Sequence, residues 1–347
     1  MKSISFEIEV LDPLVSFINK SPDNLAFCIE DEEYSYKTFG GYISKVMEKI
    51  EENCREESKV GLVINNDIET YASIFAMWME GKCYVPLHPN WPIERCEDII
   101  SQVGLQYIMD SSVKTRYNDV KVIDLHGLMP DTLPIEYKRN IAETELAYIL
   151  FTSGSTGQPK GVRITRGNVA AFMDSFWETG ISISEIDRCL QCFDLSFDVS
   201  VQSYLVALTK GASVFTVPSG QMKYLSIAGL IEEKRITFGA MAPSVLRYLQ
   251  PYYEEIDFSS LRQCILTAEA VPMDLVSDWM KYAHNTKVYD FYGPTEGTIY
   301  STAYRIKGDG NDKTYNGMVS IGTPLSNIVA IIVNFNYRKI ISNIATI

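Results

Sequence analysis

The most informative stretch of this sequence is LAYILFTSGSTGQPKGVRIT, residues 146–165. It opens with a continuous apolar run over 146–151, which predicts a strand buried on both faces. The loop that follows, residues 152–161, holds three glycines, four hydroxyl side chains and one lysine. Glycine lets the backbone adopt positive φ and approach a ligand closely, while hydroxyls, backbone N–H groups and lysine suit phosphate oxygens. The stretch therefore predicts an anion-binding hairpin.

Two other interpretations fit part of this loop. A Walker-type P-loop needs Gly-Lys-Ser/Thr running into a helix, whereas Pro159 precedes the lysine here and a strand is predicted over 161–164. A surface hairpin without a ligand would also be rich in glycine and serine. The buried-type strand directly before the loop favours ligand binding.

Strands and helices alternate on both sides of the hairpin. Strands are predicted over 60–64, 83–87, 214–217, 237–241, 264–267 and 287–291, with helices at 68–79, near 168 and over 225–234. Such alternation is typical of α/β folds with mainly parallel sheets flanked by helices. Residues 126–142 are irregular and hold two prolines, so we expect two α/β lobes, about 1–142 and 143–303. After 304 short strands and turns are expected.

The composition excludes several classes of protein. The 347 residues exceed one ordinary domain of roughly 100–200 residues. Acidic residues outnumber basic ones 44 to 31, so a broad contact with nucleic acid or anionic membrane is not expected. Seven scattered cysteines favour a reducing cytoplasm, and Cys189 and Cys192 have no second pair that would suggest zinc. Neither a signal peptide nor a membrane span is predicted.

Residues 147–162 resemble the signature loop of the adenylate-forming enzymes, which include acyl-CoA synthetases, luciferases and the adenylation domains of nonribosomal peptide synthetases. Four further stretches resemble motifs of that family in the expected order: residues 76–92 (AMWMEGKCYVPLHPNWP), 197–201 (FDVSV), 289–296 (YDFYGPTE) and 321–325 (IGTPL). The resemblance implies a layered αβαβα core with the start of a small β-barrel over 304–347. It also implies a ligase that uses ATP and Mg²⁺ to convert a carboxylate into an acyl-AMP.

The resemblance also implies roles for nucleotide-binding residues. The hairpin would hold the β- and γ-phosphates through Thr152, Ser153, Gly154, Ser155, Thr156, Gly157 and Lys160. Glu296 would coordinate Mg²⁺ and Thr295 would contact the α-phosphate, so the candidate catalytic residues are Thr152, Lys160, Thr295 and Glu296. Tyr292 would stack on adenine, in a site completed by Ala268, Glu269, Asp290, Phe291 and Gly293. Taken alone, Glu296 could also be a solvated carboxylate and Tyr292 a core residue.

Asp198, in FDVSV, is the residue that indicates the substrate class. In relatives an aspartate at this place pairs with the α-ammonium of an amino acid, and an apolar tail would leave its buried charge unpaired. The alternative is that Asp198 caps the following helix; Asp194 does not continue the motif. The resemblance places the side-chain pocket at Val199, Gln202, Ala240, Leu266, Ala268, Phe291, Ile299 and Tyr300. The large Phe291 and Tyr300 favour a small substrate side chain, and His88 is expected to be structural.

Two features of typical relatives are missing from this sequence: a ribose-binding Tyr-Arg-Thr-Gly-Asp stretch and a C-terminal lid with a catalytic lysine. We therefore expect an amino-terminal core that binds ATP·Mg²⁺ but forms the adenylate poorly. The leading hypothesis is amino-acid activation for transfer to a phosphopantetheinylated carrier protein or CoA, by a peptide-synthetase module or a stand-alone ligase. The alternatives are an acyl-CoA synthetase for a non-amino acid and a catalytically silent binding module.

Overall fold

The computed structural model describes residues 4–131, 135–152, 159–218, 222–333 and 340–343. Its α-helices are α1 (Asp12–Lys20), α2 (Tyr36–Asn53), α3 (Ile68–Met79), α4 (Ile93–Val103), α5 (Arg166–Trp177), α6 (Asp198–Leu208), α7 (Lys223–Glu233), α8 (Pro243–Leu249) and α9 (Met273–Trp279). A π-helical turn, Glu7–Leu11, precedes α1, and 3₁₀ turns lie at Gln250–Tyr252 and Thr295–Gly297.

The strands follow the alternation that the sequence predicts. They are β1 (Leu25–Ile29), β2 (Glu32–Ser35), β3 (Lys59–Val63), β4 (Cys83–Leu87), β5 (Tyr107–Asp110), β6 (Lys121–Asp124), β7 (Leu146–Thr152), β8 (Lys160–Thr165), β9 (Arg188–Gln191), β10 (Ser213–Thr216), β11 (Phe238–Met241), β12 (Gln263–Leu266), β13 (Lys287–Tyr292), β14 (Thr302–Ile306), β15 (Thr314–Tyr315), β16 (Met318–Val319), β17 (Thr323–Pro324), β18 (Ile331–Val333) and β19 (Ile340–Asn343).

Two large sheets organise these strands. The six-stranded sheet has the order β6-β5-β3-β4-β7-β8, and the nine-stranded sheet has the order β17-β14-β13-β12-β11-β9-β10-β1-β2. Pairing is parallel in the interior of both sheets and antiparallel at β7–β8, β13–β14, β14–β17 and β1–β2. Strands from both sides of the boundary predicted at 142/143 occur in both sheets, so that boundary does not separate the sheets.

Three apolar clusters show how the layers stack. The largest lies between the two sheets and includes α3 and α6, which are buried almost completely. A second cluster lies between the nine-stranded sheet and α7, α8 and α9. The third lies between the six-stranded sheet and α4. The sequence of layers is helix, sheet, helix, sheet, helix, which confirms the predicted α/β class with parallel sheets flanked by helices.

Local sequence explains why the central helices begin where they do. The side chain of Asp67 accepts a hydrogen bond from the Thr70 N–H and caps α3. Thr165 and Asn168 form a reciprocal capping box at the start of α5. Gly81, with φ of 72°, follows α3 and reverses the chain toward β4.

The region after β14 changes character, as predicted. Its strands are short, and β15–β16 and β18–β19 form antiparallel pairs. A closed barrel in this region stays a prediction. All seven cysteines are buried free thiols. In the part of the chain that the structure describes, no helix combines the length and apolar character needed to cross a membrane.

Candidate functional site

The predicted motifs lie at the carboxyl ends of strands from both sheets. β7 ends at Thr152, β9 at Gln191, β12 at Leu266 and β13 at Tyr292. Ligands of open α/β sheets bind beyond these carboxyl ends, where the connecting loops meet. The 3₁₀ turn Thr295–Gly297 follows β13 of the nine-stranded sheet and packs against β8 of the six-stranded sheet. The two sheets therefore contribute to one site.

Thr152 and Lys160 form the neck of the predicted phosphate hairpin. They are register partners in the antiparallel β7–β8 pair, so the chain leaves and re-enters the sheet at one point. Lys160 is exposed at this neck. Five residues predicted to bind phosphate lie outside the described residues: Ser153, Gly154, Ser155, Thr156 and Gly157. Their role stays a prediction.

Glu296 lies in the 3₁₀ turn that contacts β8, and its side chain is exposed. No group of three or more His, Cys, Asp or Glu side chains among the described residues could hold a metal ion. A single carboxylate is nevertheless suitable for Mg²⁺, which keeps several waters and is usually completed by substrate phosphates. The donor set of this turn therefore fits magnesium bound together with a nucleotide.

A cavity of about 370 Å³ lies beside the ends of β12 and β13. The residues that line it include six of the predicted nucleotide-binding residues: Ala268, Glu269, Asp290, Phe291, Tyr292 and Gly293. Tyr292 is half exposed, so its ring is accessible for stacking. Five further lining residues were not predicted as site residues: Ala270, Val271, Met318, Val319 and Ile321, the last of which begins the IGTPL motif. Met318, Val319 and Ile321 lie at the cavity because Met318 pairs with Pro272. No local sequence signal predicts this pairing.

Two carboxylates at this cavity have different surroundings. Asp290 is buried, and burial raises its pKa to about 7. A neutral Asp290 can donate as well as accept a hydrogen bond, which an asparagine at this position would also do. Glu269 instead accepts hydrogen bonds from the N–H and hydroxyl of Ser244, in the first turn of α8. Its carboxylate therefore anchors that helix at the cavity edge.

The backbone between the cavity and Asp198 is tightly folded. A Cβ on Gly293 would lie 2.5 Å from the Ile299 carbonyl oxygen and 2.6 Å from Tyr300 Cα, so only glycine fits here. Ala268, Thr298 and Ile299 have φ values of 68°, 64° and 69°, which side-chain-bearing residues adopt at an energetic cost. Strained residues of this kind are concentrated at binding sites. Here Thr298 and Ile299 lie in the 298–300 segment, which runs beside α6.

Asp198 is the first residue of α6, and the cap position before it is occupied by Phe197. Its side chain is 6% exposed, and its Oδ2 atom has no hydrogen-bond partner among the described residues. Burial raises its pKa to about 6, although hydrogen bonds with the Thr295 side chain and the Ile299 backbone oppose this shift. A buried carboxylate with one free oxygen is suited to a cationic ligand.

Most of the predicted side-chain pocket residues belong to the core between the two sheets, and some of them contact one another directly. One apolar cluster contains Val199, Ala240, Phe291, Ile299 and Tyr300, and the Tyr300 hydroxyl donates to Gln202 Oε1 at 3.2 Å. Leu266 does not join this group, because it packs in the cluster between the nine-stranded sheet and the outer helices. Ala268 lines the 370 Å³ cavity instead.

His88 and Asp194 form a link that the sequence did not predict. His88 follows β4 of the six-stranded sheet, and Asp194 follows β9 of the nine-stranded sheet. The distance from His88 Nε2 to Asp194 Oδ2 is 2.8 Å. The Asn90 N–H donates to His88 Nδ1, so the neutral ring carries its proton on Nε2 and donates to Asp194. The bond ties together the loops that precede α4 and α6.

Comparison with known proteins gives a consistent family. The family model described as AMP-binding enzyme matches residues 15–341. Gramicidin S synthase 1 of Brevibacillus brevis is 28% identical over 333 residues, which are 92% of this chain and 29% of that protein. Bacitracin synthase 3 of Bacillus licheniformis is 26% identical over 324 residues, which are 92% of this chain and 5% of that protein. The chain thus spans less than a third of the length of these two relatives.

Solved structures agree on the fold. The N-terminal subdomain of Klebsiella oxytoca NpsA, in complex with 3-hydroxybenzoyl-AMSN, has a TM-score of 0.81 and 23% identity, covering 97% of this chain and 84% of that one. The Vibrio cholerae adenylation domain AlmE, in complex with glycyl-adenosine-5'-phosphate, has a TM-score of 0.81 and 20% identity, covering 97% of this chain and 67% of that one. Because the family model covers nearly the whole sequence, the chain belongs to the AMP-binding enzyme family.

Proposed function

We propose that this chain binds ATP and an amino acid and activates the amino-acid carboxylate as an aminoacyl-AMP. The observation that carries this proposal is Asp198, a buried carboxylate with an unpaired oxygen at the carboxyl ends of the sheets. The α-ammonium of an amino acid would pair with that oxygen and remove the cost of the buried charge. Membership of the AMP-binding enzyme family supports the nucleotide half of the reaction.

The proposed reaction needs no protein nucleophile. A carboxylate oxygen of the amino acid attacks the α-phosphorus of ATP, a new P–O bond forms, and pyrophosphate leaves with the electrons of the broken P–O bond. Thr152 and Lys160 would hold the β- and γ-phosphates, and Thr295 would contact the α-phosphate. Bound at Glu296 and the phosphates, Mg²⁺ would neutralise charge on the transferring group. The protein's contribution is positioning and electrostatic stabilisation.

The adenosine would occupy the 370 Å³ cavity. There Tyr292 would stack on the adenine ring and Asp290 would bond its amino group. Thr295 lies close enough to Asp198 to lower the pKa of its carboxyl group, which supports a direct connection between the nucleotide and amino-acid ends of the site. In the second half-reaction a phosphopantetheine thiol of a carrier protein would attack the carbonyl carbon and release AMP. We place this reaction in the cytoplasm, where free thiols persist.

The test compares two non-hydrolysable adenylate analogues that differ only in the ammonium group: alanyl and propionyl sulfamoyl adenosine. We expect the alanyl compound to bind at least tenfold more tightly by isothermal titration, because only it pairs with Asp198. Tighter binding of the propionyl compound would indicate a ligase for a non-amino acid. Analogue binding without ATP–pyrophosphate exchange would indicate a silent binding module.

A further inference from the structure

Gln202 lies one turn after Asp198 on the same face of α6 and is fully buried. Its Oε1 atom accepts the hydrogen bond from Tyr300, but its Nε2 atom has no partner among the described residues. The amide is therefore only half satisfied, at the position where the side chain of an Asp198-bound amino acid would begin.

Two other buried glutamines show that the fold can satisfy this side chain. Gln191 Nε2 donates to the Phe193 carbonyl oxygen at 3.0 Å, and its Oε1 accepts from the Phe193 N–H. Gln263 makes the same pair of bonds with Ser182, at 2.6 Å and 3.2 Å. Buried amide N–H groups are almost always paired, because leaving one unpaired carries the full cost of desolvation. Gln202 departs from this pattern beside the proposed substrate position.

Bulky aromatic rings pack around Tyr300, the hydrogen-bond partner of Gln202. The rings of Phe291 and Tyr300 pack edge to face with centroids 5.1 Å apart, and Phe172 and Phe176 pack against them at 6.0 Å and 6.1 Å. All four rings are buried. A long or aromatic substrate side chain would have to displace them from a close-packed core.

We infer that the substrate of this site is an amino acid with a short, uncharged side chain that carries an oxygen acceptor for Gln202 Nε2. The inference rests on the proposed function and adds the substrate class. An apolar side chain of equal size would leave the amide N–H buried and unpaired, and such sites discriminate against ligands that lack the matching group.

The experiment measures the binding of aminoacyl sulfamoyl adenosines in three pairs of similar shape: seryl and 2-aminobutyryl, threonyl and valyl, asparaginyl and leucyl. We expect at least one oxygen-bearing member to bind about tenfold or more tightly than its hydrocarbon partner. If all three hydrocarbon members bind as tightly or more tightly, the inference is overturned and amino-acid binding stands. If no aminoacyl analogue binds better than a propionyl analogue, the proposed function fails as well.

Gln202→Met removes the amide and keeps the length of the side chain. We expect it to abolish the preference within the best pair, while Gln263→Met leaves that preference unchanged because Gln263 is already fully paired by Ser182. A preference that survives Gln202→Met in a folded protein contradicts the inference. The affinity ratios within the three analogue pairs, measured on the unaltered chain, test the inference even where a variant does not fold.

Discussion

Two aspartates four residues apart, Asp194 and Asp198, have pKa values that are shifted in opposite directions. Asp194 accepts hydrogen bonds from His88 and from the N–H and hydroxyl of Ser196. Burial alone would raise its pKa, but these bonds lower it to about 2. Asp198 is more deeply buried, one of its oxygens has no partner among the described residues, and its pKa is raised to about 6.

The difference supports the proposal that Asp194 is a structural carboxylate and Asp198 a binding carboxylate. Asp194 is satisfied within the protein, so it stabilises the loop that leads into α6. Asp198 is removed from water without enough hydrogen bonds or opposite charge to offset the cost of burying its charge. The ionised carboxylate therefore destabilises the fold unless a cation binds to it. Binding sites commonly carry such a cost, because groups arranged for a ligand are not arranged for the empty protein.

The largest effect that would test this contrast comes from Asp198→Asn. Loss of the buried charge should weaken binding of the best aminoacyl sulfamoyl adenosine by about a hundredfold or more. The same change should raise the free energy of unfolding at pH 7 by about 1–3 kcal/mol, because the pKa elevation of Asp198 reflects uncompensated burial. Isothermal titration and urea unfolding measure the two quantities.

Asp194→Asn is the matched control for that variant, because it makes the same chemical change in the same loop. It should lower the free energy of unfolding and leave most of the ligand affinity intact. If Asp198→Asn instead destabilised the protein and Asp194→Asn abolished binding, the assignment of the two roles would be reversed.

A smaller effect is expected from pH. As pH falls through about 6, Asp198 takes up a proton and loses the charge that attracts the ammonium group. Affinity for an aminoacyl analogue should fall about tenfold between pH 7 and pH 5, whereas affinity for the propionyl analogue should not follow this curve. Because an unfolded aspartate is still ionised over most of this range, Asp198 itself should make the fold more stable as pH falls.

Between pH 7 and pH 5, Asp194 should contribute nothing to the change in ligand affinity or in stability. Its pKa is lowered, so its stabilising effect is complete above the pKa of an unfolded aspartate and is lost only as pH falls toward about 2. Equal pH dependence of ligand affinity in the unaltered chain and in Asp198→Asn would show that another group is responsible.

The smallest effect concerns the His88–Asp194 link. His88 also stacks on Trp91, with ring centroids 5.7 Å apart, so His88→Phe removes the hydrogen bond and keeps the stacking. We expect it to lower the free energy of unfolding by about 1 kcal/mol, since both side chains are partly exposed. In a double-mutant cycle with Asp194→Asn the two losses should be less than additive. Strict additivity would mean that the bond contributes nothing.

Much of the fold could be predicted because its signals are local. The helix at 68–79 and the buried strand before the hairpin were recognisable from apolar periodicity. The choice of Asp198 over Asp194 also came from local motif continuity. The roles of Thr152, Lys160 and Glu296 remain predictions, although the structure brings β8 and the turn at 295–297 into contact.

The parts that could not be predicted depend on distant residues. Leu266 was expected in the side-chain pocket, but the alternation of the strand turns it toward the opposite face of the sheet from Ala240 and Phe291. Met318 reaches the 370 Å³ cavity because residues 317–319 pair with residues 271–273, which lie far away in the sequence. His88 was expected to be structural, yet its partner in the other sheet was not foreseeable.

The order of strands and helices, the glycine- and hydroxyl-rich hairpin and the family are all contained in the chain's residues, because they follow from periodicity, local backbone preference and motif spacing. Which polar groups remain unpaired is instead a consequence of three-dimensional packing. Gln202 meets Tyr300 from 98 positions away, and whether a buried amide or carboxylate is satisfied depends on every side chain that the fold packs around it. Burial and hydrogen bonding are properties of the assembled core, so local sequence does not contain them.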